Sequence, residues 1–190
     1  VYKLTPDGTL SPEAVTGADL DNPMDVEFDN DGAMWIASRN NNKVYKVVSG
    51  TAVRTYDIKF PTCLAVDMKG RMIVGSTTAG YMYMIDGDDV VPIAGNGTNA
   101  KAENPDGNSG ESVGETNGVF CASDGSIWFA DTINQAVRRL TPDASGDFTK
   151  GKIETVARGF YPSDVYVTDD CSKAYVSSAT THTIRLIEIF

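Results

Sequence analysis

Histidine is almost missing from this chain. His182 is the only one, so a Ser-His-Asp or Cys-His mechanism would have to run through it. It sits in a Thr-Thr-His-Thr run leading into a strand-like segment, the setting of an exposed turn residue. Cysteine is scarce as well: Cys63, Cys121 and Cys171 lie far apart, without a C-x-x-C pair. That spacing disfavours a zinc site and leaves two arrangements open, buried free thiols or one bridge with a spare. No run approaches the roughly 20 apolar residues that a membrane-spanning helix needs. Nor is there a basic block: 16 Lys and Arg face 26 Asp and Glu, a net charge of −10. Such a field repels a phosphate backbone, so nucleic acid is a poor partner. The chain opens on Val1-Tyr2-Lys3-Leu4 with no initiator Met, basic leader or cleavage pattern, as in a processed protein or an excised portion of one.

What the chain does have is repetition. NPMDVEFDNDGAMWIASRNNNKVYKV, beginning at Asn22, returns as FPTCLAVDMKGRMIVGSTTAGYMYMI, as ETNGVFCASDGSIWFADTINQAVRRL and as YPSDVYVTDDCSKAYVSSATTHTIRLIEI. Aligning the turn before the second hydrophobic run places Gly32, Gly70, Gly125 and Ser172 in register. Three residues later come Trp35, Ile73, Trp128 and Tyr175, and nine further on Val44, Met82, Val137 and Ile184. The periodicity of the aromatic position marks it as packing between repeats rather than a sugar-stacking platform. Each unit reads as three short strands bounded by Gly, Asn, Asp or Pro, with one more β-rich run between units: Thr51 to Ile58, Val90 to Ala94, Ile153 to Ala157. Four strands per unit of roughly 40 to 50 residues is the arithmetic of propeller blades.

The D-G-x-x-W-I-A-S and D-G-x-I-W-F-A-D-T-x-N-Q-x-V-R-R-L segments resemble NHL repeats, and AGNGT at Ala94 to Thr98 is similar to the glycine-rich linker such repeats carry. The fourth copy departs most, with Cys171 and Ser172 in place of Asp-Gly and one extra residue before them. The resemblance implies an all-β propeller of four-stranded blades. The expected layout is a partial blade over 1–22, blades over 23–58, 61–94 and 117–157, and a partial blade over 162–190. Residues 94–115 have almost nothing apolar and read as a long surface loop. Pro12 confines Leu10 to Thr16 to a sheet edge. The two ends overlap rather than complement each other, which points to an arc of four to five blades from a six-bladed ring. The open sides of the terminal blades would then be apolar and invite self-association.

Strand alternation brings the connection entering each first strand and the connection between the second and third strands to one face. Ligand-binding candidates on that face are Asp25, Arg39, Asn40, Asn117, Asp131, Asn134, Asp164 and His182. Asp131 in FADT has a second reading, as a turn-former bonded to backbone N–H groups. Asn117 in ETNGV also resembles the P-N-G segment of the gluconolactonase-like six-bladed propellers. That resemblance implies an alternative, a calcium or magnesium site with Glu115, Asn117 and Asp164, joined by Asp25, serving a lactonase or esterase. Amidating lyases of similar fold use histidine ligands, which a single His does not supply. The reading adopted is a non-enzymatic module, without a cofactor, that recognises a protein, peptide or glycan in an extracytoplasmic protein of several modules.

Overall fold

The computed structural model describes residues 1–101 and 106–189; Phe190, in the predicted last blade, and residues 102–105 of the predicted loop lie outside them. The described strands form five antiparallel sheets in chain order. A hairpin of β1 (Tyr2–Leu4) and β2 (Leu10–Pro12) comes first. Blade one is β3 (Pro23–Phe28), β4 (Met34–Ser38), β5 (Lys43–Val48) and β6 (Thr51–Asp57). Blade two is β7 (Pro61–Val66), β8 (Met72–Ser76), β9 (Tyr81–Asp86) and β10 (Asp89–Gly95). Blade three gathers β12 (Thr116–Cys121), β13 (Ile127–Asp131), β14 (Ala136–Thr141) and β15 (Lys152–Arg158), with a short β11 (Gly107–Asn108) added beside β15. Blade four is β16 (Asp164–Val167), β17 (Lys173–Ser178) and β18 (Thr183–Glu188). The first strands of successive blades pack on one another, β3 on β7, β7 on β12 and β12 on β16. This is a β-propeller arc.

Blades two and three are apolar on both faces because each is a filling between two others. Trp35, Ala37 and Tyr56 of blade one meet Leu64, Val74 and Ile85 of blade two; Ile73 and Met82 meet Phe129 and Leu140; Trp128 and Val137 meet Val165 and Val176. The aromatic position predicted to be core behaves so in three blades, with exposures of 6% at Trp35, 0% at Ile73 and 1% at Trp128. The fourth corrects the expectation: Tyr175 is 43% exposed, because no further blade covers that flank among the described residues. Tyr166, Ile184 and Leu186 are exposed with it, and at the opposite flank so are Tyr2, Leu4, Leu10 and Phe28. The β1–β2 hairpin lies against blade one, where Val1 and Val15 pack on Ile36 and Val47.

The turn between first and second strands is closed by one bond in every blade: Gly32 N to Asp29 O, Gly70 N to Asp67 O, Gly125 N to Ala122 O, and Cys171 N to Thr168 O. The closing residue is left-handed, at φ 79°, 79°, 83° and 54°. In blade four that role falls on Cys171, and the extra residue, Ser172, follows it rather than preceding it. Glycine adopts this conformation without strain, which is why the first three turns use it. All three cysteines are free thiols.

The segment predicted as a surface loop is partly built in. Beyond β11, Ser109 accepts from Gly95 N at 2.8 Å and donates its own N–H to Gly151 O at 2.9 Å. Val113 is fully buried in the core between blades two and three. One branched side chain and a line of backbone bonds give the segment the order that its composition conceals.

Asp29 shows how the lower turns are held. Burial pushes its carboxyl up, but hydrogen bonds from Lys46 Nζ (2.8 Å), Trp35 Nε1 (2.9 Å) and Ala33 N (2.9 Å) outweigh that and leave the pKa at about 2. A depressed carboxylate stabilises the fold fully above its unfolded value of 3.8, and the contribution is lost as pH falls through about 2. Acid titration of thermal stability should therefore lose roughly 1–2 kcal/mol more in wild type than in Asp29→Asn across that window.

Candidate functional site

The two sets of predicted loops do meet at one face. Arg39 N donates to Asn22 O at 3.1 Å, Thr77 N to Phe60 O at 3.2 Å and Thr132 N to Glu115 O at 2.9 Å, so each second-to-third-strand loop is tied to the segment entering its own first strand. In blade four the tie is Ala179 N to Ser163 Oγ at 3.1 Å. The last residue of these loops is left-handed in all four blades: Asn42 (φ 60°), Gly80 (65°), Gln135 (52°) and His182 (52°). His182 is exposed, and its place in the fold is set by its backbone.

Asp131 and Asn134, read from sequence as ligand-binding candidates, turn inward instead. Asp131 and Arg138 are both 0% exposed, with Oδ2 and the guanidinium Nη1 2.7 Å apart. Asn134 Nδ2 donates to the same oxygen at 2.8 Å, and Gly114 N to Oδ1 at 3.2 Å. Arg138 Nη1 also reaches Ser112 O at 2.8 Å. The group is a clamp on the segment from Ser112 to Gly114, in line with the turn-former reading of Asp131. Part of the signal was in the sequence: Arg138 falls on the predicted third strand at a position where Tyr45 and Tyr83 stand in blades one and two and Arg185 in blade four.

Asp25, Asn117 and Asp164 come together. They line a groove of about 430 Å³ where the first strands of the blades converge, beside Glu27, Thr62 and Cys63. Met24, Leu64, Phe120 and Tyr166 supply its apolar walls. Glu115 is not part of that lining. Asp25 accepts from Leu64 N of the next blade at 2.7 Å and from Val26 N at 2.8 Å. Asn117 Nδ2 donates to Thr132 Oγ1 at 2.7 Å, and Thr132 passes a bond to Pro162 O at 2.8 Å. Asp164 accepts from Val165 N at 2.9 Å. Its carboxyl is raised above the usual range, first by desolvation against blade three, where Gly118 leaves no space for a side-chain carbon, and then by the charge of Asp25. Desolvation, together with Asp25 and Asp164, also pushes the buried Cys63 thiol well up, so it stays protonated and is no nucleophile.

Glu27 escaped the sequence reading. Glu27 was legible: it stands two residues after Asp25 on one strand, hence on the same face. Arg39 is half-buried and Asn40 exposed at the loop rim, where Asn40 Nδ2 bonds Asp21 Oδ1 at 3.1 Å. Among the described residues no three His, Cys, Asp or Glu side chains converge as a set that would ligate one ion.

The sequence matches no family model and no curated protein. Solved structures share the fold. A catalytically inactive virginiamycin B lyase from Staphylococcus aureus, solved with quinupristin, superposes with a TM-score of 0.64 at 15% identity, over 99% of this chain and 62% of that one. A gluconolactonase from Xanthomonas campestris gives 0.70 at 16% identity, over 94% and 60%. The WD40 propeller domain of Doa1 gives 0.65 at 13%, over 86% and 50%. The chain thus spans less than two thirds of these neighbours, and the fold is common to a lyase, a lactonase and a WD40 domain.

Proposed function

We propose that this chain is a non-enzymatic, NHL-like propeller module that takes a protein, peptide or glycan ligand at the groove and its loop rim, within an extracytoplasmic protein. The observation that carries this reading is the chemistry of the groove. Its polar lining is dominated by acceptors, Asp25, Glu27 and Asp164, set between apolar walls. Such a surface suits a ligand rich in N–H or O–H donors with an apolar flank, such as a basic peptide segment or a sugar ring. Arg39 and Asn40 at the rim add hydrogen-bonding capacity. Of the groups that chemistry would need, Cys63 is held buried and protonated, Asp131 is paired with Arg138, and His182 lies outside the groove lining.

A metal-dependent lactonase is the second reading, favoured by the meeting of Asp25, Asn117 and Asp164 in one groove. In it those three residues would offer hard oxygen donors to calcium or magnesium. Two measurements separate the readings. Thermal unfolding with millimolar calcium or magnesium should give no metal-specific rise, and gluconolactone hydrolysis should stay at the buffer rate. A metal-specific rise that disappears in Asn117→Ala and Asp164→Ala, with metal-dependent hydrolysis, would replace the binding-module reading by the enzymatic one.

A further inference from the structure

The connection from third to fourth strand is two residues in blade one (49–50) and in blade two (87–88), but ten in blade three (142–151). The extra length folds back onto blade two. Phe148 is buried in one cluster with Ile73 and Met84, the Arg71 guanidinium lies over its ring at 5.3 Å, and a side-chain carbon at Gly146 would stand 3.0 Å from Lys69 Nζ. The excursion is held from within. Asp143 Oδ1 accepts from Ser145 N at 2.9 Å and from Asp147 N at 3.0 Å, and Asp147 caps the 3-10 turn Phe148–Lys150 by accepting from Thr149 N at 2.9 Å. Ser109 Oγ fastens the far end, donating to Thr149 O at 2.6 Å.

Between this excursion and the first-to-second-strand turns of blades two and three lies a pocket of about 340 Å³. Its walls come from two blades that each have all four strands, away from either flank of the arc. Cys121, Ala122, Ile127 and Phe148 line it with apolar surface. Cys121 belongs to that surface as a neutral group, since desolvation, and then the charges of Asp67 and Glu27, push its thiol up to about 12. The charged lining is Asp67, Lys69 and Arg71. Asp67 is already satisfied: Oδ1 accepts from Lys69 N and Arg71 N at 2.9 Å each, and Oδ2 takes Arg71 Nε at 2.7 Å with Nη2 2.6 Å away. Lys69 is exposed and pairs with no carboxylate among the described residues. The lining thus carries one positive charge in excess, on a chain whose net charge is −10.

We propose that this pocket is a binding site for a small organic carboxylate, whose aliphatic or aromatic body fills the space beside Ile127 and Phe148 while its carboxylate meets Lys69, with Arg71 alongside. A preformed apolar cavity with a few convergent polar groups takes the body, and the unpaired ammonium selects the sign of the head group. The pocket shares no lining residue with the groove, and the turns that frame it lie at the other end of the strands. It does not rest on the function proposed for the groove.

The test is an NMR titration of the full chain with phenylacetate, phenylacetamide and phenethylamine, three probes of closely similar body and different head group. Phenylacetate should bind saturably, roughly fivefold tighter than the amide, the upper end for an exposed ion pair, and the amine should bind weakest. Amide shifts should centre on 67–71, 121–127 and 142–148. Lys69→Glu should abolish the preference for acid over amide, whereas Lys59→Glu, an equal change of net charge at another exposed lysine, should leave it in place; circular dichroism checks that both variants keep the fold. The proposal is overturned by equal binding of acid and amide, by tighter binding of the amine, by shifts centred on the groove, or by absence of saturable binding. It is equally overturned if the preference survives Lys69→Glu or is lost to the same extent in Lys59→Glu.

Discussion

Asp131→Ala should cost about 3–5 kcal/mol of folding stability, because it leaves a guanidinium charge inside the protein without its carboxylate. Arg138 has 0% exposure, so water cannot take over. The loss reaches beyond the pair: Gly114 N and Asn134 Nδ2 both donate to the same carboxylate, and Arg138 Nη1 also holds Ser112 O. One substitution therefore loosens the second-to-third-strand turn of blade three and the incoming segment together. Urea midpoints at constant slope would measure it. Asp131→Leu combined with Arg138→Met, where the added bulk of one apolar side chain offsets part of the bulk lost at the other, should lose clearly less than either single change, since no unpaired charge is left. A loss below about 1 kcal/mol for Asp131→Ala would show that the pair does not clamp the segment.

The second large effect comes from comparing two residues at the same repeat position. Trp128→Ala should cost about 3–5 kcal/mol, and Tyr175→Ala less than about 1 kcal/mol. Trp128 is 1% exposed, packs with Phe160 and Val165, and donates Nε1 to Ser126 Oγ at 3.0 Å. Tyr175 is 43% exposed and stands in a row with Tyr166 and Leu186 on an uncovered sheet face. Removing the first opens a cavity between blades; removing the second trims a ring already half in water. Equal losses would mean that a neighbour covers blade four in solution, and sedimentation of wild type against Leu186→Glu would identify a second copy as that neighbour.

Much of the fold was legible because the blade writes itself four times. A run of apolar strand residues, a turn that needs a left-handed residue and a large apolar side chain three positions later, aromatic in three copies of four, recur together, and agreement between copies fixes the register that one copy would leave open. What stayed hidden was non-local. Nothing adjacent to Val113 says that it enters the core between blades two and three, since its neighbours are Gly, Ser and Glu. The loop residues Asp131 and Asn134 look like surface polar groups until Arg138 is folded beneath them. Around the groove, Asp25, Asn117 and Asp164 were found by their place after the entering turn, while Glu27, two residues further along β3 and on the same face, was passed over as part of the strand.

Ser109 accepts from Gly95 at the end of blade two and donates to Gly151 just before the outer strand of blade three. Neither neighbour can therefore fray at that border without breaking a bond belonging to the other, and the two sheets share Val113 as common filling. In amide hydrogen exchange they should behave as a single cooperative block that opens last, while the hairpin and blade four exchange earlier and in separate steps.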